Sequence, residues 1–363
     1  MRPDPAGNPL LSRRLLRSQR RAPARARVLF GAACGAVALL AAACSSGGNG
    51  MGAVPGTITI AAAPGIDDAP LWLAYQKGLF AADGLNVVIK NFGSQSAELT
   101  AVEDNKAQIA ASDYGNIFAH QQAQPNLLRL LADGYDAGTA SVEILSLPRY
   151  NVSTALDLQG APGRPDPIGL PGESTIGKTT TGVPESLYVA AAREVMSNYL
   201  ASGADTLTWS PMSQQKEISE LASGKLHAVL LTEPYIYDAE ATLGATPVLD
   251  VFSGGTASLP ISGYVATSAW VKTNATAVAD FQSAIEQAQS DATLTGPIEQ
   301  VLPKLPGAGI TTQEADMVTV GGYPTSTNVA ELERVNELMT RESMLSRSNS
   351  VRPGAMVVHG PGQ

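Results

Sequence analysis

The stretch that most constrains the fold is residues 57–92, TITIAAAPGIDDAPLWLAYQKGLFAADGLNVVIKNF. It opens on alternating β-formers, Ile58 and Ile60, breaks at Pro64-Gly65, and then takes a helical period. Asp67 and Asp68 stand where a cap and first-turn acids suit a helix dipole, and Pro70 is tolerated in that first turn. Leu71, Tyr75 and Leu79 follow at i, i+4 and i+8, which predicts one buried stripe. Gly84 predicts the end of the helix, and residues 86–92 predict a second strand. Strand, helix and strand make a βαβ unit. The loop after its first strand opens beside a helix N-terminus, where open α/β sheets bind small ligands.

The arrangement recurs along the chain. Gly93-Ser94-Gln95-Ser96 leads into a second helix, residues 107–112 form a strand ending at Asp113-Tyr114-Gly115-Asn116, and a helix carrying Ile117, His120 and Gln121 follows. Residues 127–132 and 140–147 read as further strands. From Pro167 the pattern starts again: a strand at 167–170, a polar loop at 171–182, and a helix at 184–200 with Leu187, Ala190, Ala191, Val195 and Tyr199 on one side. A strand at 206–209, a helix at 214–223 and a strand at 227–231 complete it. Each half is β-loop-α-β-loop-α-β, which predicts two α/β lobes with six strand-end loops around one cleft. Residues 262–271 are β-rich, and 275–293 and 328–345 are helical. Residues 346–363, rich in Ser, Arg, Gly and Pro without periodicity, predict a disordered tail. We read no short internal repeat.

At 363 residues the chain is long enough for two cores, and 44% apolar with 16% charged residues is a globular composition. The first 43 residues have the make-up of a secretory signal: eight arginines against the single acid Asp4, then 16 uncharged residues closing on Ala-Ala-Ala. A run that short is a poor membrane span. Cys44 and the following SSGGNGMG resemble a bacterial lipobox, with Ala41 where Leu is usual; plain cleavage after Ala43 is the alternative. Residues 44–56 then form a lipidated, flexible tether. Removing the leader from 24 basic and 33 acidic residues leaves 16 against 32, a net charge of −16. So acidic a domain argues against nucleic acid as a partner. Cys34 leaves with the leader, so an internal disulfide is excluded.

The run LAYQKGLFAADGLNVVI, set between an opening strand and a Gly-Ser-Gln loop, resembles the substrate-binding proteins of ABC importers. The branch it resembles handles nitrate, alkanesulfonates, taurine and thiamine-precursor pyrimidines, and the resemblance spans about residues 56–345. It implies a two-lobed periplasmic-binding-protein type 2 fold, each lobe a mostly parallel sheet flanked by helices, joined by a two-strand hinge. Lobe 1 would comprise residues 57–147 and 252–345, lobe 2 residues 148–251, with the hinge near 147–152 and 251–262. The implied activity is capture of a small solute outside the cytoplasm by a monomeric, lipid-anchored protein, and its delivery to a membrane permease and its ATPase. Two alternatives share the fold: an enzyme similar to the thiamine-pyrimidine synthases, and a ligand-sensing partner of a membrane receptor.

Catalytic machinery is not legible. His120, His227 and His359 form no metal-spaced pair, and no P-loop or nucleophile elbow occurs, so no catalytic residue, metal or cofactor is expected. The strand-end loops supply the candidates for ligand binding: Gly65, Ile66, Asp67, Asp68, Ser94, Gln95, Asp113, Tyr114 and Asn116 in the first half. The second half adds Glu173, Ser174 and Lys178 from the polar loop, then Trp209, Glu233 and Tyr235. The resemblance independently implies contacts from the first-strand loop, the Ser-Gln loop and the loop after the third strand. Tyr114, Trp209 and Tyr235 would form an aromatic wall suited to a flat ring. Lys178 is the one basic residue among these loops, whereas Asp67, Asp113 and Glu233 suit an amine or N–H-bearing solute.

Overall fold

The computed structural model describes residues 56–159, 167–178, 184–199 and 207–360. The expected signal peptide, Cys44 and nearly all of the tether lie outside the described residues. The strands are β1 (Ile58–Ala61), β2 (Val87–Lys90), β3 (Ile109–Asp113), β4 (Leu128–Asp136), β5 (Val142–Ser146), β6 (Ile168–Pro171), β7 (Gly177–Lys178), β8 (Pro184–Glu185), β9 (Trp209–Met212), β10 (Ala228–Thr232), β11 (Thr246–Asp250) and β12 (Pro260–Thr267).

Ten of them build two sheets, β2-β1-β3-β12-β4 and β11-β5-β10-β6-β9, while β7 and β8 pair with each other. The two orders follow one plan. A parallel trio, β2-β1-β3 or β9-β6-β10, continues into one antiparallel strand, β12 or β5, and then into a last strand, β4 or β11. Each antiparallel strand is reached from the other sheet: the chain passes from β4 to β5 through residues 137–141 and returns from β11 to β12 through residues 251–259. The expected two-lobed α/β architecture is borne out.

The lobe boundary differs from the expected one. Residues 140–147 read as the last strand of the first lobe, yet β5 pairs with β10 and β11, register Val142↔Thr232 and Glu143↔Asp250, and so belongs to the second sheet. All five of its residues are buried. A strand covered on both faces carries no alternation to say which sheet it joins.

Local chemistry sets most element ends. The Ser94 hydroxyl accepts the Ala97 N–H at 3.2 Å and caps the helix Gln95–Glu103; the Asp113 carboxylate accepts the Asn116 N–H at 2.6 Å and caps Tyr114–Ala123. Gly78, at φ 71°, closes the helix Ala69–Lys77 in the left-handed conformation that a side chain resists. The helix expected to run to Gly84 therefore breaks into two pieces, the second being Leu79–Ala82. The expected stripe is not continuous either: within Ala69–Lys77, Leu71 is buried whereas Tyr75 is 47% exposed. Tyr199, two residues beyond the end of Leu187–Ser197, is likewise exposed rather than on the buried side.

The C-terminal segment is ordered through Gly360, contrary to the expected tail. Val351 and Met356 are buried, Val357 bridges Leu130 of β4, and the Gln282 amide donates to the Val358 carbonyl at 2.9 Å. Isolated apolar residues in a Gly/Pro-rich stretch show no period, but a groove on the first lobe buries them one at a time.

Candidate ligand-binding cleft

The C-terminal ends of both parallel trios converge on a cavity of about 220 Å³. After β1 the loop Ala63–Asp68 forms one wall; the helix after β2 contributes Gln95 and Glu98, and β3 contributes Ala111 and Ser112. From the second sheet come Pro171, Glu173 and Ser174 after β6, Gln214 after β9, and Thr232 to Tyr235 after β10. Tyr135, Tyr188, Ile261, Ala308 and Ile310 complete the lining with Ser141 and Val142.

Two glutamines organise these strand ends. Gln95 Oε1 accepts the Asp113 N–H at 2.6 Å, and Gln214 Oε1 accepts the Thr232 N–H at 2.8 Å. Each tethers the helix after the outer strand to the tip of the third, where a backbone N–H would otherwise lack a ladder partner. Gln214 also donates to Glu173 Oε1 at 3.1 Å, steadying the loop after β6. Opposite, the Tyr323 hydroxyl donates to the Ile66 carbonyl at 2.6 Å and fixes the loop after β1. Glu233 accepts the Thr319 and Tyr237 N–H groups at 3.1 and 3.2 Å, so it joins the second lobe to the C-terminal part of the chain.

Carboxylates dominate the electrostatics. Asp68 is 6% and Glu98 1% exposed. Burial raises the Asp67 carboxyl, against the pull of nearby backbone N–H groups; burial and then the neighbouring Asp67 and Glu98 charges raise Asp68 further. Glu98 is pushed up to about 8 by burial, then by Asp67 and Asp113, and Asp113 to about 6 by burial. Burial also raises Glu233. Glu98 Oε1 has no hydrogen-bond partner, although it is enclosed. Among the described residues, no group of His, Cys, Asp and Glu is arranged to hold a metal ion.

Nine of the expected residues line the cavity: Gly65, Ile66, Asp67, Asp68, Gln95, Glu173, Ser174, Glu233 and Tyr235. Asp68 stands at the N-cap position of its helix without making a side-chain cap bond, so its carboxyl is free for the cleft. The others lie elsewhere. Ser94 and Asp113 are spent on helix caps, and Asn116 donates to Asp113 Oδ2 at 2.9 Å. Tyr114 is wholly buried, its hydroxyl donating to Asp133 Oδ1 at 2.6 Å and its ring against Phe118. It is the first residue of a helix rather than the apex of a loop, and its side chain turns into the first lobe. Lys178 is exposed on β7, and Trp209 packs against the core from β9. The aromatic face of the cavity comes instead from Tyr135, Tyr188 and Tyr235.

Comparison with known proteins places this architecture. The model of the family described as NMT1/THI5 like matches residues 66–162. No curated protein matches the sequence. Among solved structures, the alkanesulfonate-binding protein SsuA of Xanthomonas axonopodis pv. citri, bound to MOPS, aligns with TM-score 0.64 at 15% identity over 85% of this chain and 99% of its own. The nitrate-binding protein NrtA of Synechocystis PCC 6803 aligns with TM-score 0.63 at 12% identity, over 83% and 86%. A ligand-binding component of an ABC-type import system from Staphylococcus aureus gives 0.65 at 13%, over 83% and 96%. The chain has the two-lobed periplasmic-binding-protein fold. The resemblance read from residues 73–89 is thereby borne out.

Among the acids that line the cavity, the one that sequence reasoning passed over is Glu98. A signal was present: Ser94-Gln95-x-x-Glu98 recurs as Ser213-Gln214-x-x-Glu217, at the start of the corresponding helix of the second sheet. The repeat is too short to stand out in a chain of this length, and the sheet orders make it visible. Tyr135 and Tyr188 carried no such signal, since β4 and the helix after β8 face the cavity only because of how the lobes meet.

Proposed function

We propose that this chain is an extracytoplasmic solute-binding lipoprotein of an ABC importer, anchored to the cell membrane through Cys44, which captures a small solute between its lobes and delivers it to a permease and its ATPase. The observation that carries the reading is the cavity itself, built from six strand ends, three from each sheet. A solute there touches both lobes, and only a solute that does so favours the closed arrangement over the open one. Residues 137–141 and 251–259 are the connections about which closure would turn. The role is binding: the described lining holds carboxylates, amides, hydroxyls and tyrosines, groups that fix a small polar solute by hydrogen bonds. The protein works as a monomer, with the permease as its partner.

Thermal unfolding of the purified full chain against nitrate, taurine, alkanesulfonates, aminopyrimidines and other amines tests this. A solute at 100 times its dissociation constant adds about 2.7 kcal/mol, which raises the melting temperature by a few degrees. A saturable shift from one class, lost on Glu233→Ala, is the expected result. No shift from any solute, with unchanged small-angle scattering, would sink the transport reading.

A further inference from the structure

The relatives named above for a sulfonate and for nitrate take anions. The cleft of this chain is built the other way. Its described lining includes Asp67, Asp68, Glu98, Glu173 and Glu233 and contains no lysine, arginine or histidine. An anion entering it would lose its water among carboxylates with no counter-charge in contact.

Glu98 supplies the second, independent observation. Its side chain is 1% exposed and lines the cavity, and its Oε1 has no hydrogen-bond partner. Buried polar atoms are nearly always paired, so an acceptor that lines the cavity without a partner among the described residues is suited to take a donor from a solute. The carboxyls of Asp67 and Asp68 lie on the same side, near enough to act electrostatically on Glu98 and on each other. The rings of Tyr135, Tyr188 and Tyr235 line the rest of the cleft, and aromatic faces attract cations.

We propose that the solute is a small organic cation, a flat amidinium-like or protonated-amine group, that donates an N–H to Glu98 Oε1 and offsets the charge of Asp67 and Asp68. The proposal rests on the interlobe cavity being the solute site. It narrows the solute class and excludes the sulfonates and nitrate. Burial, then the neighbouring acids, pushes Glu98 up to about 8, and a cation seated beside it favours the charged form, so binding near neutral pH releases a proton from Glu98.

The test uses three probes of nearly one shape and different charge: benzamidine, benzamide and benzoate. Calorimetry on the full chain should show benzamidinium binding at least about tenfold tighter than benzamide, a difference of roughly 1.4 kcal/mol, with benzoate silent. The heat should change between buffers of different ionisation enthalpy as protons are released. Glu98→Gln should weaken benzamidinium at least about tenfold while the melting temperature of the empty protein holds or rises; Asp67→Asn should weaken it as well. A cation found by the solute panel in place of benzamidinium would count the same way. Benzoate or benzamide binding as tightly as benzamidinium would overturn the inference, as would Glu98→Gln leaving cation affinity unchanged. A neutral or anionic solute stabilising the chain where no cation does would overturn it too, yet leave the binding-protein reading intact. Silence from solutes of every charge would sink both.

Discussion

Ser94-Gln95-x-x-Glu98 and Ser213-Gln214-x-x-Glu217 open matching helices, the first after β2 and the second after β9, and the two lobes use them differently. The glutamines do the same work, each holding the N–H at the tip of a third strand. The glutamates diverge. Glu98 faces the cleft among other acids, whereas Glu217 is fully buried over β6, where Gly169 has no side chain to contest the space: a Cβ there would stand 2.7 Å from Glu217 Oε2. Neither Glu217 carboxylate oxygen has a partner, and burial, then Glu173, pushes the group up to about 10. One motif thus yields an acid that lines the cleft in one lobe and a buried, space-filling acid in the other. Orientation over the sheet, not residue type, separates them.

The comparison extends to how the lobes are closed off. The first sheet is covered by the helix Ala275–Ala292, where Phe281 stacks on Phe80 at 5.8 Å, and by the C-terminal segment; among the described residues the second sheet has no counterpart of that segment. Ending the chain after Leu345 should therefore cost about 2–5 kcal/mol, since it strips buried Val351 and Met356 from the first lobe. Thermal unfolding would read this as the largest drop among these variants. An unchanged melting temperature would mean that the segment lies on the lobe without supporting it.

Glu217→Gln should act in the opposite direction. The carboxyl moves from its ordinary 4.5 to about 10 on folding, so the folded state holds more protons across that window and stability falls as pH rises through it. Replacing the acid should gain about 1–3 kcal/mol at pH 8 and flatten the decline of melting temperature between pH 5 and pH 9. The corresponding window for Glu98 ends near 8, so Glu98→Gln should flatten only the lower part of the curve. Two identical pH profiles would refute the contrast between the lobes.

Gln95→Ala should have the smallest effect on stability, about 1 kcal/mol, because it leaves one strand-end N–H unpaired, and Gln214→Ala should cost somewhat more, because it also releases Glu173 and the Thr232 hydroxyl. Solute affinity should fall in both as the loops loosen. A loss in one variant alone would show that the repeat is a coincidence of letters.

Much of this architecture was legible in the chain. The alternation at Ile58 and Ile60, the break at Pro64-Gly65 and the βαβ run predicted both the sheet and the loop that lines the cleft. The helix expected over about 214–223 spans Gln214–Ser223 and is closed by Gly224 in the left-handed conformation. Tyr114 was misread for a physical reason. A tyrosine after an aspartate at a strand end belongs equally to a loop apex or to a helix's first turn, and the Asp113 cap selects the second.

What the sequence by itself determined is the set of local elements and the acidic, amide-bearing chemistry at the strand ends, since caps, breaks and periodicity act between near neighbours. Only the tertiary structure decided that β5 joins the second sheet, that the C-terminal segment is held, and that Glu98 and Glu217 part ways. Each of these depends on a contact between distant residues, where burial by a partner surface outweighs local preference.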